Sequence, residues 1–179
     1  MMKKVSVIAF FVCLMAAANT VQAQSVVKIN ILSPVVRTIN LSYEVAISEN
    51  GSFQLGFFYT GYKDDVTKFS GFGITPEYRF YLSETTAPEG FYVAPFLRYR
   101  RFTVENVETD SEGTYSPFGG GLIIGKQWIF KDKISLDLFL GPQYSSGDVK
   151  LSSGDEGDLD LGVFDGFGLR TGITLGIKF

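Results

Sequence analysis

From Val27 to Phe179 the dominant pattern is alternation of apolar and polar side chains with a period of two, the pattern of strands with one apolar face. Ile39, Leu41, Tyr43, Val45 and Ile47 form an unbroken apolar side against Asn40, Ser42, Glu44 and Ala46. Phe53, Leu55, Phe57 and Tyr59 alternate with Gln54, Gly56, Phe58 and Thr60. Phe72, Ile74, Pro76, Tyr78, Phe80 and Leu82 face away from Gly73, Thr75, Glu77, Arg79 and Tyr81. Phe91, Val93, Pro95, Leu97 and Tyr99 oppose Tyr92, Ala94, Phe96, Arg98 and Arg100. Ile134, Leu136, Leu138 and Leu140 oppose Ser135, Asp137, Phe139 and Gly141. The clearest run is the last, where Phe167, Leu169, Thr171, Ile173, Leu175, Ile177 and Phe179 alternate with Gly168, Arg170, Gly172, Thr174, Gly176 and Lys178.

Two runs are less regular. Val27, Ile29 and Ile31 alternate until Ser33-Pro34 breaks them, and the stretch from Tyr115 to Phe130 is blurred by Gly119-Gly120-Gly121, where a bulge or close packing is expected. The sum is eight strands. Pro76 and Pro95 cannot donate to a ladder, yet the alternation passes straight through each, so both strands stand.

The joints fall into two sets. Ser48 to Gly51, Ser83 to Gly90 and Lys131 to Lys133 lie on the side of the N-terminus. Ser33 to Arg37, Asp64 to Ser70, Glu105 to Gly113 and Gly147 to Asp165 lie on the other, and the last of these is the longest joint. Short turns on the terminal side with longer loops opposite are the arrangement of outer-membrane barrels. Eight crossings of about 9–11 residues each fit within the chain.

The N-terminus reads as an address. Lys3 and Lys4 precede an apolar run from Val5 to Ala18, broken only by Ser6, and Val21-Gln22-Ala23 suits a cleavage site. Residues 1–23 are therefore expected to be a secretory signal peptide and residues 24–179 a single barrel domain. The apolar run is too short for a membrane anchor, which needs about 18 or more residues. Phe11 and Val12 before Cys13 do not match a lipoprotein signal. Cys13 is the one cysteine, so the mature chain has no disulfide framework.

Composition narrows the chemistry. The 179 residues contain no histidine. That removes Ser-His-Asp and Cys-His machinery, imidazole bases and histidine metal sites. Without Lys3 and Lys4, 14 basic residues stand against 19 acidic ones, which does not support a nucleic-acid-binding surface.

Which face points outwards decides the compartment. A soluble eight-stranded carrier, lipocalin-like, turns its apolar face inwards around a ligand. Here the polar face of the last strand is Gly, Arg, Gly, Thr, Gly, Lys. Glycine weakens a strand, but a narrow barrel interior needs it beside bulky neighbours such as Arg170. An Arg or Lys facing lipid at mid-depth costs about 2–4 kcal/mol, so Arg79, Arg98 and Arg170 are expected inside. Aromatics collect where two girdles belong. Tyr59, Phe72, Tyr99, Tyr115, Tyr144 and Phe167 lie near the loop ends, and Phe53, Phe80, Phe91, Trp128, Phe130 and Phe179 near the turn ends.

The leader, the eight alternating runs and the terminal Gly-Ile-Thr-Leu-Gly-Ile-Lys-Phe resemble the small OmpA/OmpX-type outer-membrane β-barrels of Gram-negative bacteria. The resemblance implies a closed eight-stranded antiparallel transmembrane barrel in the cell outer membrane. It also implies recognition by the barrel-assembly machinery through the last strand, where Ile173, Leu175, Ile177 and Phe179 match the family's pattern. No peptidoglycan-binding domain follows the barrel here, so a cell-wall anchoring role is not expected. Outer-membrane lipid and lipopolysaccharide are the expected surroundings, with the chain a monomer and no cofactor, metal ligand or catalytic residue nominated.

The candidate chemistry is an inward cluster of Glu44, Glu77 and Asp137 against Lys28, Arg79, Arg98, Arg100, Arg170 and Lys178. Pairing the fourth and fifth strands through their turn sets Glu77 opposite Phe96 and diagonal to Arg98, within reach of long side chains. In the resembled family such networks plug the barrel. An alternative is a narrow channel or small-anion binder using the surplus of Arg98, Arg100 and Arg170. The loops are acidic. Glu105, Glu108, Asp110 and Glu112 form one group, and Asp155, Glu156, Asp158 and Asp160 another. They read as solvated loops, with bridging to lipopolysaccharide through divalent cations as the sharper reading.

Overall fold

A computed structural model describes residues 24–63, 67–106, 111–153 and 165–179. Among these described residues there are ten strands: β1 (Ser25–Asn30), β2 (Thr38–Ser48), β3 (Gly51–Lys63), β4 (Thr67–Tyr81), β5 (Gly90–Asn106), β6 (Ser111–Tyr115), β7 (Phe118–Phe130), β8 (Ile134–Ser146), β9 (Val149–Ser153) and β10 (Gly166–Lys178). Eight of them form an antiparallel ring in the order β4-β3-β2-β1-β10-β8-β7-β5, which closes where β4 pairs with β5. The fold is a closed eight-stranded antiparallel barrel, with the ring strands where the alternation placed them. The signal-peptide segment lies outside the described residues.

The two further strands were not expected. β6 pairs with the far end of β5, and β9 pairs with β6, so both rise beyond the ring as an extension of the wall. The Glu105–Gly113 and Gly147–Asp165 joints are therefore not plain loops. Tyr115, expected on the outer girdle, ends β6 and is 1% exposed, packed with Phe102. The Asp64–Ser70 joint is shorter than expected, because β3 runs on to Lys63 and β4 starts at Thr67.

Within the ring the register is regular except for one shift between Ala46 and Ser48, where β2 pairs with β3. Gly119-Gly120-Gly121 produces no bulge, since β7 keeps one register with β5 and with β8 through the triplet. Close packing is the reason for these glycines. A Cβ on Gly121 would sit 2.9 Å from the Gln143 Cα and 3.1 Å from the Phe96 ring. The same device recurs on the lumen side, where Gly71 leaves space for Phe102, Gly73 for Phe58 and Gly172 for Phe139. The glycine beside Arg170 thus serves an aromatic ring on the next strand rather than the arginine. Between β7 and β8, Lys131 and Asp132 both take positive φ, the turn geometry that matches strand twist.

Tracing register partners once around shows the tilt. Val26, Glu44, Gln54, Glu77, Phe96, Gly121, Gln143 and Gly168 are successive partners. Continued, the β1–β10 register would set Gly168 opposite position 36, a stagger of about ten residues, which for eight strands tilts them by about 35–45°. β1 is too short to follow. Its pairing with β10 ends at Asn30 opposite Thr174, and Ile31 N donates the last bond to Ile173 O at 3.0 Å. The chain then turns through a 3₁₀ segment, Ser33–Val36, into β2. From Gly166 to Gly172, β10 keeps β8 on one edge, and among the described residues no strand covers the other.

The barrel is inverted relative to a soluble one. Outward positions such as Ile39, Leu41, Phe57, Phe80, Phe91, Ile124, Leu140 and Ile177 are exposed, while Lys28, Glu44, Glu77, Arg79 and Asp137 are buried. Replacing Gly121 by Val is expected to cost about 1–3 kcal/mol through overpacking, whereas Gly168→Ala, which meets only the Gln143 side chain at 3.4 Å, is expected to be tolerated. Urea-unfolding midpoints in detergent, with heat-modifiable gel mobility as the check on folding, measure the difference.

Candidate functional site

The alternation that turns apolar residues outwards turns every ring-strand acid of the lumen inwards. Strand tilt then brings Lys28 of β1, Glu44 of β2, Glu77 and Arg79 of β4 and Asp137 of β8 to neighbouring levels near the terminal side. Arg79 is the hub. Its Nε lies 2.6 Å from Glu77, and its Nη1 lies 2.8 Å from Asp137 and 3.5 Å from Glu44. Lys28 pairs with Glu44, and with Asp137 at 3.2 Å. Arg170 reaches down from β10 to Glu77 at 2.9 Å. Three cations and three anions interlock in this group.

Neutral donors and acceptors complete it. Tyr81 donates to Glu44 at 2.7 Å and Tyr92 to Asp137 at 2.8 Å. Ser52 donates to Glu44, while Gln127 accepts from both Lys28 and Arg79. The Arg79 guanidinium also lies over the Tyr92 ring, 4.3 Å from its centre. This degree of partnering is what burial demands, because a lone buried charge carries a desolvation penalty of several kcal/mol. Below the group, the turn between β4 and β5 tucks fully buried Ala87 under the lumen, with its N–H on Glu49 O at 2.7 Å. Above it, the Arg170 guanidinium lies over Phe96 at 4.4 Å and Phe139 at 5.0 Å.

Arg98 stands apart. Glu77 does lie opposite Phe96, but its oxygens are taken by Arg79 and Arg170. Arg98 instead bonds Thr75 at 3.1 Å and Gln143 at 3.4 Å, and among the described residues no carboxylate pairs with it. Arg98 and Arg170 both line a cavity of about 240 Å³ in the far half of the lumen. Arg100 sits higher, with its Nη2 2.7 Å from Ser145. Lys178 is not in the lumen group. It lies at the terminal rim, 3.7 Å from the exposed Asp132.

Sequence reasoning missed Tyr81, Tyr92, Ser52 and Gln127. The first three carry hydroxyls on the charged parity, which is the signal that identifies them. Gln127 was hidden in the glycine-blurred strand. Lys126 was missed too. It faces outwards on β7, and its ammonium lies 4.4 Å from the Phe91 ring centre and 5.0 Å from that of Trp128. A lysine with an apolar stem at an aromatic girdle can carry its charge to the interface. Of the acidic loops, Glu105 pairs with Lys68 at 2.6 Å. Glu108, Asp110, Asp155, Glu156, Asp158 and Asp160 lie outside the described residues. Among the described residues no cluster of three acidic or cysteine ligands could hold a metal ion.

Comparison with known proteins places this geometry. The model of a family described as "Protein of unknown function (DUF3575)" matches residues 9–154. No curated protein matches in sequence. Among solved structures, Neisserial surface protein A (NspA) is 16% identical with a TM-score of 0.53, over 88% of this chain and 96% of that one. A major outer membrane protein from Thermus thermophilus is 17% identical with a TM-score of 0.54, over 89% of this chain and all of that one. The N-terminal β-barrel domain of Pseudomonas aeruginosa OprF is 16% identical with a TM-score of 0.44, over 88% and 96% of the two chains. The first two share the fold of this chain: an outer-membrane type of barrel.

Arg79→Leu is expected to cost about 3–5 kcal/mol, because it strands buried carboxylates. Arg98→Leu removes no ion pair and is expected to cost about 0.5–1.5 kcal/mol per lost hydrogen bond. Paired urea titrations of the two variants, read against the parent barrel, test this ranking.

Proposed function

The chain belongs to the DUF3575 family of proteins of unknown function, and we propose that it is an integral outer-membrane barrel, non-enzymatic, with its lumen closed by the buried charge group. The observation that carries this reading is the inversion of faces. Apolar side chains cover the outside, whereas six interlocked charges fill the near half of the lumen. Such a surface suits hydrocarbon, and an outward charge at mid-depth would cost about 2–4 kcal/mol. A soluble lipocalin-like carrier has the opposite polarity.

The non-enzymatic reading rests on the side chains. The chain has no histidine. Each lumen carboxylate is engaged by cations, which leaves none disposed as a general base. The closed reading rests on the number of bonds that an ion would have to break to pass Arg79. Phe179, exposed at the end of the chain beside β1, is the proposed signal to the barrel-assembly machinery. Lipid and lipopolysaccharide surround the wall, and the barrel acts as a monomer through its far-side extension, in structural or surface-interaction roles.

The full chain is expected in the outer-membrane fraction, released only by detergent. The refolded barrel is expected to be silent in a planar bilayer. Reproducible anion-selective steps from a heat-modifiable, folded sample would overturn the closed lumen and favour a narrow arginine-lined channel. Release into the periplasm without detergent would overturn the membrane reading itself.

A further inference from the structure

The six-charge group is balanced, with Lys28, Arg79 and Arg170 against Glu44, Glu77 and Asp137. Arg98 is left over. Further polar residues line its cavity with it: Gln54, Thr75, Gln143, Arg170 and Thr174. An arginine bonded only to neutral partners, in a cavity lined by such groups, suits a polar occupant. Two guanidinium groups with no free acid between them select an oxyanion, and arginine forks match carboxylate and phosphate oxygens. At roughly 30 Å³ per water, the 240 Å³ cavity has room for such a group and several waters.

Among the described residues the wall beside this cavity is incomplete. β1 stops at Asn30, while β10 continues past it to Gly166 and β2 begins only at Thr38. Ser33 and Asn40 line the cavity from one rim of this gap, and Leu169 and Thr171 from the other. Bare sheet edges do not face hydrocarbon unless they line a cavity or are otherwise covered. The rims are apolar on the outside: Val35 is 83% exposed, Val36 69% and Leu169 65%. Aqueous anions have no use for such a rim, but an acyl chain does.

We infer that the far half of the lumen binds the anionic headgroup of a single-chain amphiphile, a fatty acid or lysophospholipid. Arg98 and Arg170 hold the carboxylate or phosphate, and the acyl chain leaves through the gap between β10 and β2. The site rests on the membrane reading above. It needs no passage through the barrel, because the charge group closes the lumen beneath it.

The test uses the folded chain in phospholipid nanodiscs with a palmitate carrying a photoreactive diazirine in its acyl chain, and maps cross-links by peptide mass spectrometry. Labelling is expected on the segments containing Val35 and Leu169, displaced by palmitate and not by excess acetate or inorganic phosphate. Arg98→Gln is expected to weaken displacement by about tenfold or more, the loss of a charge-assisted bond, while Arg98→Lys retains most of it. Gly168→Phe adds a ring against the Gln143 side chain, next to Leu169 on the β10 rim, and is expected to abolish the labelling. Equal displacement by acetate or phosphate would mean a site for free anions and would overturn the lateral route. Labelling spread evenly over the wall, or unchanged in Arg98→Gln and Gly168→Phe, would overturn the site. A failure of the membrane reading would show separately, in fractionation.

Discussion

Charge inside a narrow barrel lumen has to be neutralised where it stands, and that constraint organises this barrel. Water cannot solvate Arg79, which is fully buried. Its stability depends on Glu77, Asp137 and Glu44 arriving from β4, β8 and β2 at the correct level. Each arrives because of strand parity and tilt. A slip of one residue in any of these strands would turn its charges onto the outer face and its apolar residues into the lumen. The ion group therefore fixes register as much as it fills space, and its cost is offset by the apolar belt on the other face.

The same geometry divides the lumen by height. Near the termini lie the interlocked charges, with Ala87 beneath them. Phe96 and Phe139 clasp Arg170 in the middle. Above them is a polar cavity with Arg98 unpaired by any described acid. Phe102 and Tyr115 pack near the far mouth, where β6 and β9 lengthen the wall. Among the described residues the wall is continuous around the charges and open beside the cavity. The brevity of β1 is the feature that separates the two halves, since all its neighbours run higher.

Much of this was legible in the sequence because a closed barrel writes a period of two into every strand. The Glu77–Phe96 register followed from counting through the turn. What was not legible has physical reasons. Arg98 shares parity with the other lumen charges, but parity carries no height, and tilt lifts it away from the acids. Tyr115 has the composition of a girdle residue, yet it belongs to a strand outside the ring, whose pairing with β5 and β9 has no local signal. Lys126 was obscured because glycines blur the alternation of β7, although the rings of Phe91 and Trp128 flank its ammonium. The gap beside β10 depends on where β1 stops. Ser33-Pro34 marks that stop and the Phe167–Phe179 run marks the length of β10, but the register between the two strands has no local signal.

Trp128 gives the most direct test of the central claim, that this barrel sits in lipid with its apolar face outwards. It is the only tryptophan of the chain and lies on the outward parity of β7, beside Lys126. In vesicles of phospholipids brominated at different acyl depths, its fluorescence should be quenched most strongly by the shallowest bromines, as befits a girdle residue. Quenching that is absent at every depth would place Trp128 away from lipid and contradict the inverted barrel.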